Sequence, residues 1–271
     1  MGSKLRTPQA KCPTSVNTNA VTIPRIPQDI IDKILDHLAA DSDFLSLPAC
    51  ALVSKSWVQS CRRHLFCTVV FTSRGVDRWF KTFPVPGESP ARHVRDLCFW
   101  ISGADCVPEQ FLGYTPWFHN VEKISLLGSG GRPLSQAPSY WTLPQSVTAL
   151  TIDTNVVTLV QVRDIMVQLP NLDDLSLSGS LIQVDKDMLR GIGTTLGGRF
   201  GGRLLLRGGC AGKDVINMLL EIPSGLRFTK VGICCMRERL LPAVRLAEAC
   251  GETLVKLSHM TTFHGKSYPF S

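Results

Sequence analysis

Ten cysteines and six histidines are the side chains of this 271-residue chain that could serve as nucleophiles, metal ligands or redox pairs. Their spacing favours none of these roles. The cysteines at 12, 50, 61, 67, 98, 106, 210, 234, 235 and 250 form no C-x-x-C pair and no metal-ligand interval with a histidine. Most lie in apolar runs, where a free thiol behaves as a small hydrophobe, so reduced core thiols are expected. Cys234 and Cys235 sit in an apolar strand signal, and His259 and His264 lie near the C-terminus, so no thiol is matched with a base. The GCAGKD run at 209–214 contains a Gly-Lys, but Arg207 stands where a phosphate-binding loop needs glycine. Asp214 stands where that loop needs the hydroxyl that holds Mg²⁺. Gly191, Gly193 and Gly197 miss the dinucleotide-binding spacing by one residue. The run GGRFGGR at 197–203 has the composition of an RNA-binding Arg-Gly segment, yet a single copy between helix and strand signals reads as a flexible turn. GSGGR at 128–132 is a loop. Catalysis has no candidate residue, and neither a cofactor nor a metal is expected.

Composition narrows the class further. With 44% hydrophobic and 19% charged residues the chain is globular and long enough for one or two domains. The formal charge of +7 would suit a polyanion, but Lys and Arg are scattered rather than clustered, so direct nucleic-acid binding is not expected. The N-terminal residues hold Lys4, Arg6 and Lys11 with no apolar signal core, and no later run approaches a membrane span. A cytoplasmic or nuclear protein follows. Residues 1–22, rich in Ser, Thr, Pro, Asn and Lys, read as a disordered basic tail.

The elements with a sharper signature begin at residues 26–66. Ile30, Ile31, Ile34, Leu35 and Leu38 fall at helical spacing opposite Asp29, Asp32, Lys33 and Asp36, with Pro27 at the start of the helix. A second apolar run, Phe44, Leu45, Leu47, Ala51, Leu52 and Val53, precedes Ser54. That serine can cap a third helix carrying Trp57, Val58, Cys61, Leu65 and Phe66. Three helices this short bury too little to stand alone, so they need a neighbour.

This order of residues resembles the F-box, in the form abundant in mushroom-type fungi. Ile26 and Pro27 match its opening Leu-Pro. Ile30, Ile34, Leu35 and Leu38 match the first-helix anchors, and Val53, Lys55 and Trp57 match Val-Cys-Lys-x-Trp, with Ser54 in place of Cys. The resemblance implies docking on a Skp-type adaptor, expected to be acidic, and through it on a cullin–RING ubiquitin ligase. The adaptor-binding residues would be Ile26, Pro27, Ile30, Ile34, Leu35, Leu38, Val53 and Trp57. Ile rather than Leu at position 26 and a longer connection through 39–43 depart from the pattern without removing an apolar anchor.

Beyond residue 66, CTVVFT at 67–72 reads as a strand, and 74–90 as a short helix with Trp79 and Phe80 followed by a proline-rich loop. From residue 91 a period emerges. Apolar-x-x-apolar-x-apolar clusters centre on Leu97, Ile124, Leu150 and Leu175, and weaker copies on Leu204, Val231 and Leu257, in steps of 25 to 29 residues. Each cluster alternates as a strand, and helix-compatible stretches at 159–169, 185–196, 213–221 and 242–250 lie between. Five residues after each of the first four anchors stand Ser102, Ser129, Asn155 and Ser180, suited to bonding a buried turn. Gly209, Met236 and Thr262 break that rule, which leaves the last three copies degenerate or out of register.

This build resembles the leucine-rich repeat. The fold class expected is therefore α/β: a short three-helix F-box followed by a curved leucine-rich-repeat-like solenoid with a parallel sheet. The domains expected are 23–70 for the F-box, 71–90 for a linker, and 91–271 for about seven degenerate repeats, with possible truncation. The function expected is that of a substrate adaptor that captures an unknown protein target through exposed strand positions such as Ser125, Thr151 and Ser176. The alternative is a non-ubiquitin scaffold whose helices cap the repeats.

Overall fold

The computed structural model of the chain describes residues 26–41, 45–100, 115–128, 142–155, 157–179, 196, 200–235, 240–263 and 266–269. Three helices come first: α1 (Gln28–Ala40), α2 (Ser46–Val53) and α3 (Lys55–Leu65). Pro27 is the N-cap of α1, where its missing N–H breaks no helical bond, and its carbonyl takes the amides of Ile30 and Ile31 at 3.1 and 3.2 Å. Ser54 separates α2 from α3, and its hydroxyl accepts from the Ser56 amide at 3.3 Å, as its position predicts. The core of this module is small. Ile31, Leu35, Leu47 and Cys61 are buried, with Leu38, Trp57 and Leu65 packed around them.

The remainder is built on one nine-stranded sheet whose strands lie side by side in chain order. They are β1 (Thr68–Phe71), β2 (Asp96–Trp100), β3 (Lys123–Leu127), β4 (Ala149–Asp153), β5 (Asp174–Ser178), β6 (Phe200–Arg207), β7 (Leu226–Cys235), β8 (Lys256–Phe263) and β9 (Lys266–Pro269). The first eight pair in parallel, and β9 folds back antiparallel on β8. Helices α4 (Ser73–Thr82), α5 (Leu159–Val167), α6 (Lys213–Leu220) and α7 (Leu240–Ala249) lie in the connections. Apolar residues of all four, including Val76, Ile165, Met218 and Leu246, join one continuous core on a single side of the sheet.

The register explains the sequence period. Leu97, Ile124, Leu150, Leu175, Leu204, Val231 and Leu257 are direct partners across successive strands, the three weaker copies included. Val69 of β1 pairs with Leu97, so the strand read as a link out of the helical module is the first strand of the sheet. The anchors from Val69 to Val231 are buried, as are their i+2 neighbours Phe71, Phe99, Leu126, Ile152, Leu177, Leu206 and Ile233, while the intervening residues line the opposite, open face. One backbone bond repeats at the start of each strand: the amides of Asp96, Lys123, Ala149, Asp174 and Arg203 donate to Cys67, Arg95, Glu122, Thr148 and Asp173.

Several expectations change. In the described turns, polar side chains four residues before an anchor bond the preceding turn. Asn120 Nδ2 donates to Arg92 O at 2.7 Å, Ser146 Oγ to Val121 O at 2.7 Å, Asn171 Nδ2 to Gln145 O at 3.3 Å and Thr253 Oγ1 to Phe228 O at 3.3 Å. Asn155 is exposed, and its neighbour Thr154 is the buried polar residue there. Ser102, Ser129, Ser180 and most of 185–196 lie outside the described residues, as do the tail 1–22 and Phe44. The described end of the glycine run is strand rather than turn: Gly201 and Gly202 belong to β6, the register shifts between Gly202 and Arg203, and 197–199 lie outside the described residues.

An aromatic cluster joins the helical module to the sheet. Phe66, at the end of α3, meets Trp79 and Phe83 edge to face with centroids 5.8 and 6.2 Å apart, and Trp79 continues to Phe71 at 5.5 Å. The bulge at Gly202 supplies a sharp stability test. Its φ is +63°, and an added Cβ would stand 2.1 Å from Asp173 O. Gly202→Ala is expected to cost at least about 2 kcal/mol, combining left-handed strain with a backbone clash. Chemical denaturation checks this; a midpoint equal to that of the wild type would refute the bulge.

Candidate docking surface

Helix α1 divides its residues among three directions because successive helical positions turn by about 100°. Ile31 and Leu35 enter the module's core. Gln28, Asp32 and Asp36 face α3. Ser60 Oγ donates to Asp32 Oδ1 at 2.6 Å, Gln28 Nε2 donates to the same oxygen at 3.0 Å, and Asp36 Oδ1 takes Arg63 Nη2 at 2.9 Å and lies 3.0 Å from His64 Nε2. Ile30 and Ile34, one turn apart, are left on the third side and remain exposed, by 42% and 40%, as is Ile26 in the segment just ahead of the helix. This polar latch is consistent with the rotation of α1 that the burial of Ile31 and Leu35 sets.

The eight residues of the adaptor-binding expectation separate accordingly. Ile26, Pro27, Ile30, Ile34 and Val53 are exposed. Trp57 and Leu38 are half-buried, packed on the module's core while keeping part of their surface. Leu35 departs from the expectation: it has no exposed surface and can only hold the helices together. Two residues join the open surface that the sequence reading had left within the second apolar run, Leu45 at 90% and Leu52 at 88% exposure. The signal available was the brevity of α2, in which Leu47 alone is buried.

On the sheet, Ser125, Thr151 and Ser176 pair directly across β3, β4 and β5 and form the middle row of the open face. Thr151 and Ser176 are half-exposed, whereas Ser125 departs from the expectation of an exposed strand position and is buried beside them, 9% exposed. Reactive chemistry is not assembled in the described parts. Burial pushes the Cys61, Cys67, Cys98 and Cys250 thiols above their ordinary value, which keeps them protonated. Among the described residues no group of three or more His, Cys, Asp or Glu is arranged to hold a metal ion, and no helix is long and apolar enough to cross a membrane.

The latch between α1 and α3 carries a pH prediction. The hydrogen bond from Ser60, then that from Gln28, holds the Asp32 carboxyl below its ordinary value of 3.8. A depressed carboxylate contributes stability above its unfolded value and loses it as pH falls through the folded one. Ser60→Ala is therefore expected to return the Asp32 titration toward 3.8, followed by NMR. The stability difference between the two proteins should shrink below that pH; an unmoved Asp32 titration would count against the latch.

No curated protein and no solved structure matches the chain. The family model described as F-box domain matches residues 23–68. That span ends at Thr68, the first residue of β1, and takes in α1, α2 and α3. The chain therefore carries an F-box domain, a module that binds Skp-type adaptors in cullin–RING ligases and whose bearers are in general substrate adaptors rather than enzymes.

Proposed function

We propose that this chain is the substrate-recognition subunit of a Skp–cullin–F-box ubiquitin ligase, acting in the cytoplasm or nucleus. In this reading Ile26, Pro27, Ile30, Ile34, Val53 and the free surface of Leu38 and Trp57, joined by Leu45 and Leu52, meet the Skp-type adaptor. The part built on the sheet is a leucine-rich-repeat solenoid that holds a protein target, with Ser125, Thr151 and Ser176 in its contact row. The observation that carries the reading is the apolar surface at α1: Ile30 and Ile34 on the helix and Ile26 just before it stand uncovered while Ile31 and Leu35 are enclosed. An isolated Leu on a surface is ordinary, but three neighbouring exposed isoleucines beside a minimal core suit a partner. Resemblance to the mushroom-type fungal form agrees with this.

The chemistry of such a subunit is proximity. Tethering a target beside the ligase raises its effective concentration at the transferred ubiquitin, so no catalytic group is required of this chain. A second reading, a scaffold whose helices only cap the repeats, draws on the direct packing of Phe66 against Trp79.

Affinity capture of the adaptor separates the two. Wild type is expected to retain it, and Ile34→Asp to lose it by well over tenfold, about 2 kcal/mol or more, because a carboxylate would be buried in an apolar contact. Ile34→Asp should leave the fold intact, whereas Leu35→Ala should cost about 2 to 5 kcal/mol of module stability. Absence of adaptor in both wild type and Ile34→Asp samples would favour the scaffold.

A further inference from the structure

Arg203, Lys230 and Lys256 are direct neighbours across β6, β7 and β8 on the open face of the sheet. Adjacent strands lie about 4.8 Å apart, so three cationic side chains rise from one line at that pitch. Like charges placed opposite one another destabilise a sheet. All three are exposed, as is Arg207, four residues beyond Arg203 on the same side of β6. Arg203 has a counter-charge: Asp174 on β5 takes its guanidinium with both carboxylate oxygens, at 3.1 and 2.6 Å. Arg207, Lys230 and Lys256 have no ion pair among the described residues. Between these two levels of positive charge run Leu205, Gly232 and Ser258, again direct partners. A Cβ on Gly232 would stand 2.9 Å from Leu205 Cδ1, so the glycine lets the leucine lie across the neighbouring strand as a partly exposed apolar floor.

We propose that this part of the open face binds an extended protein segment rich in Asp and Glu. Its carboxylates stand over Arg207, Lys230 and Lys256, and an intervening apolar side chain rests on Leu205. The inference deepens the target-binding reading above and rests on it. The row already displays the pairing in question, since Asp174 closes on Arg203 through two bonds. A bound carboxylate also relieves the repulsion between Lys230 and Lys256, which gives an acidic ligand a gain that a neutral one lacks. A long polyanion fits less well. Asp174 and the exposed Asp153 bound the patch on its β4 and β5 side, so a nucleic-acid strand continuing across the sheet would run over carboxylates.

The test uses the whole chain and a fluorescein-labelled peptide of about ten residues alternating Glu and Leu, a length that spans several strands. A peptide with Lys in place of Glu and a single-stranded DNA of similar length are titrated in parallel by anisotropy. Adaptor capture is measured on the same preparations. The Glu peptide is expected to bind, to weaken with rising salt, and to weaken roughly tenfold or more in a Lys230→Glu, Lys256→Glu double variant. Lys230→Gln, which removes charge without reversing it, should weaken binding by a smaller factor. Lys230→Glu alone should melt no lower than wild type, because it alternates the charges along the row. Equal binding of the Glu and Lys peptides, unchanged binding in the double variant, or tighter binding of DNA than of the Glu peptide would overturn the proposal. Adaptor capture that persists without any preference for the Glu peptide would sink this site alone. Peptide binding that persists without adaptor capture would sink the ligase reading and leave this site standing.

Discussion

Parallel pairing in a fixed register is the constraint from which the rest of this molecule follows. Each strand must satisfy its backbone against the strand before it, and side chains alternate, so a slip of one residue would turn every buried anchor outward. Leu97, Ile124, Leu150 and Leu175 therefore stand in one line, and whatever precedes or follows them by one residue stands in a parallel line on the other side. The forked carbonyls that open the strands, such as Arg95 O taking the amides of both Glu122 and Lys123, lock that line at its start. A surface feature on the open face is thus a property of a column in the repeat, not of a local stretch of chain.

That is why the charge pattern was invisible along the sequence. Arg203, Lys230 and Lys256 are 27 and 26 residues apart, and a linear scan sees scattered cations. Once each is indexed as the residue before an anchor, Asp96, Lys123, Ala149, Asp174, Arg203, Lys230 and Lys256 form a single row whose last three members share one sign. The period itself was legible, because apolar alternation is dictated by burial and survives even in the weak copies. A further set of turn contacts went unread: Asn120, Ser146, Asn171 and Thr253 share the position four before the anchor. β1 was read as a strand but not as the first member of the sheet, because it precedes the repeating clusters, and β9 escaped because it depends on antiparallel pairing with β8, which no parallel period announces.

In the helical module the apolar residues were evident and their division was not. A stripe of Ile30, Ile31, Ile34, Leu35 and Leu38 is wider than one contact can cover, and its division becomes visible only when packing against α2 and α3 and the polar latch are seen together. Asp32 and Asp36 are held by Ser60 and Arg63, and Ile31 and Leu35 go inward while Ile30 and Ile34 do not.

The same geometry bears on how the two ends of the chain act together. Among the described residues the module has four buried core residues of its own, a small core for three helices, and further support arrives through Phe66 on Trp79 and through Arg92, which donates to Gln59 Oε1 at 3.0 Å. Both contacts tie α3 to the start of the sheet. α1 is tied to α3 by the latch, so the orientation of the isoleucine stripe is transmitted from the sheet through side chains that themselves touch no partner. On the proposed reading, contacts of this kind would set the distance between the adaptor and a bound target. Proximity raises a reaction rate only when the tether limits the volume that its cargo explores.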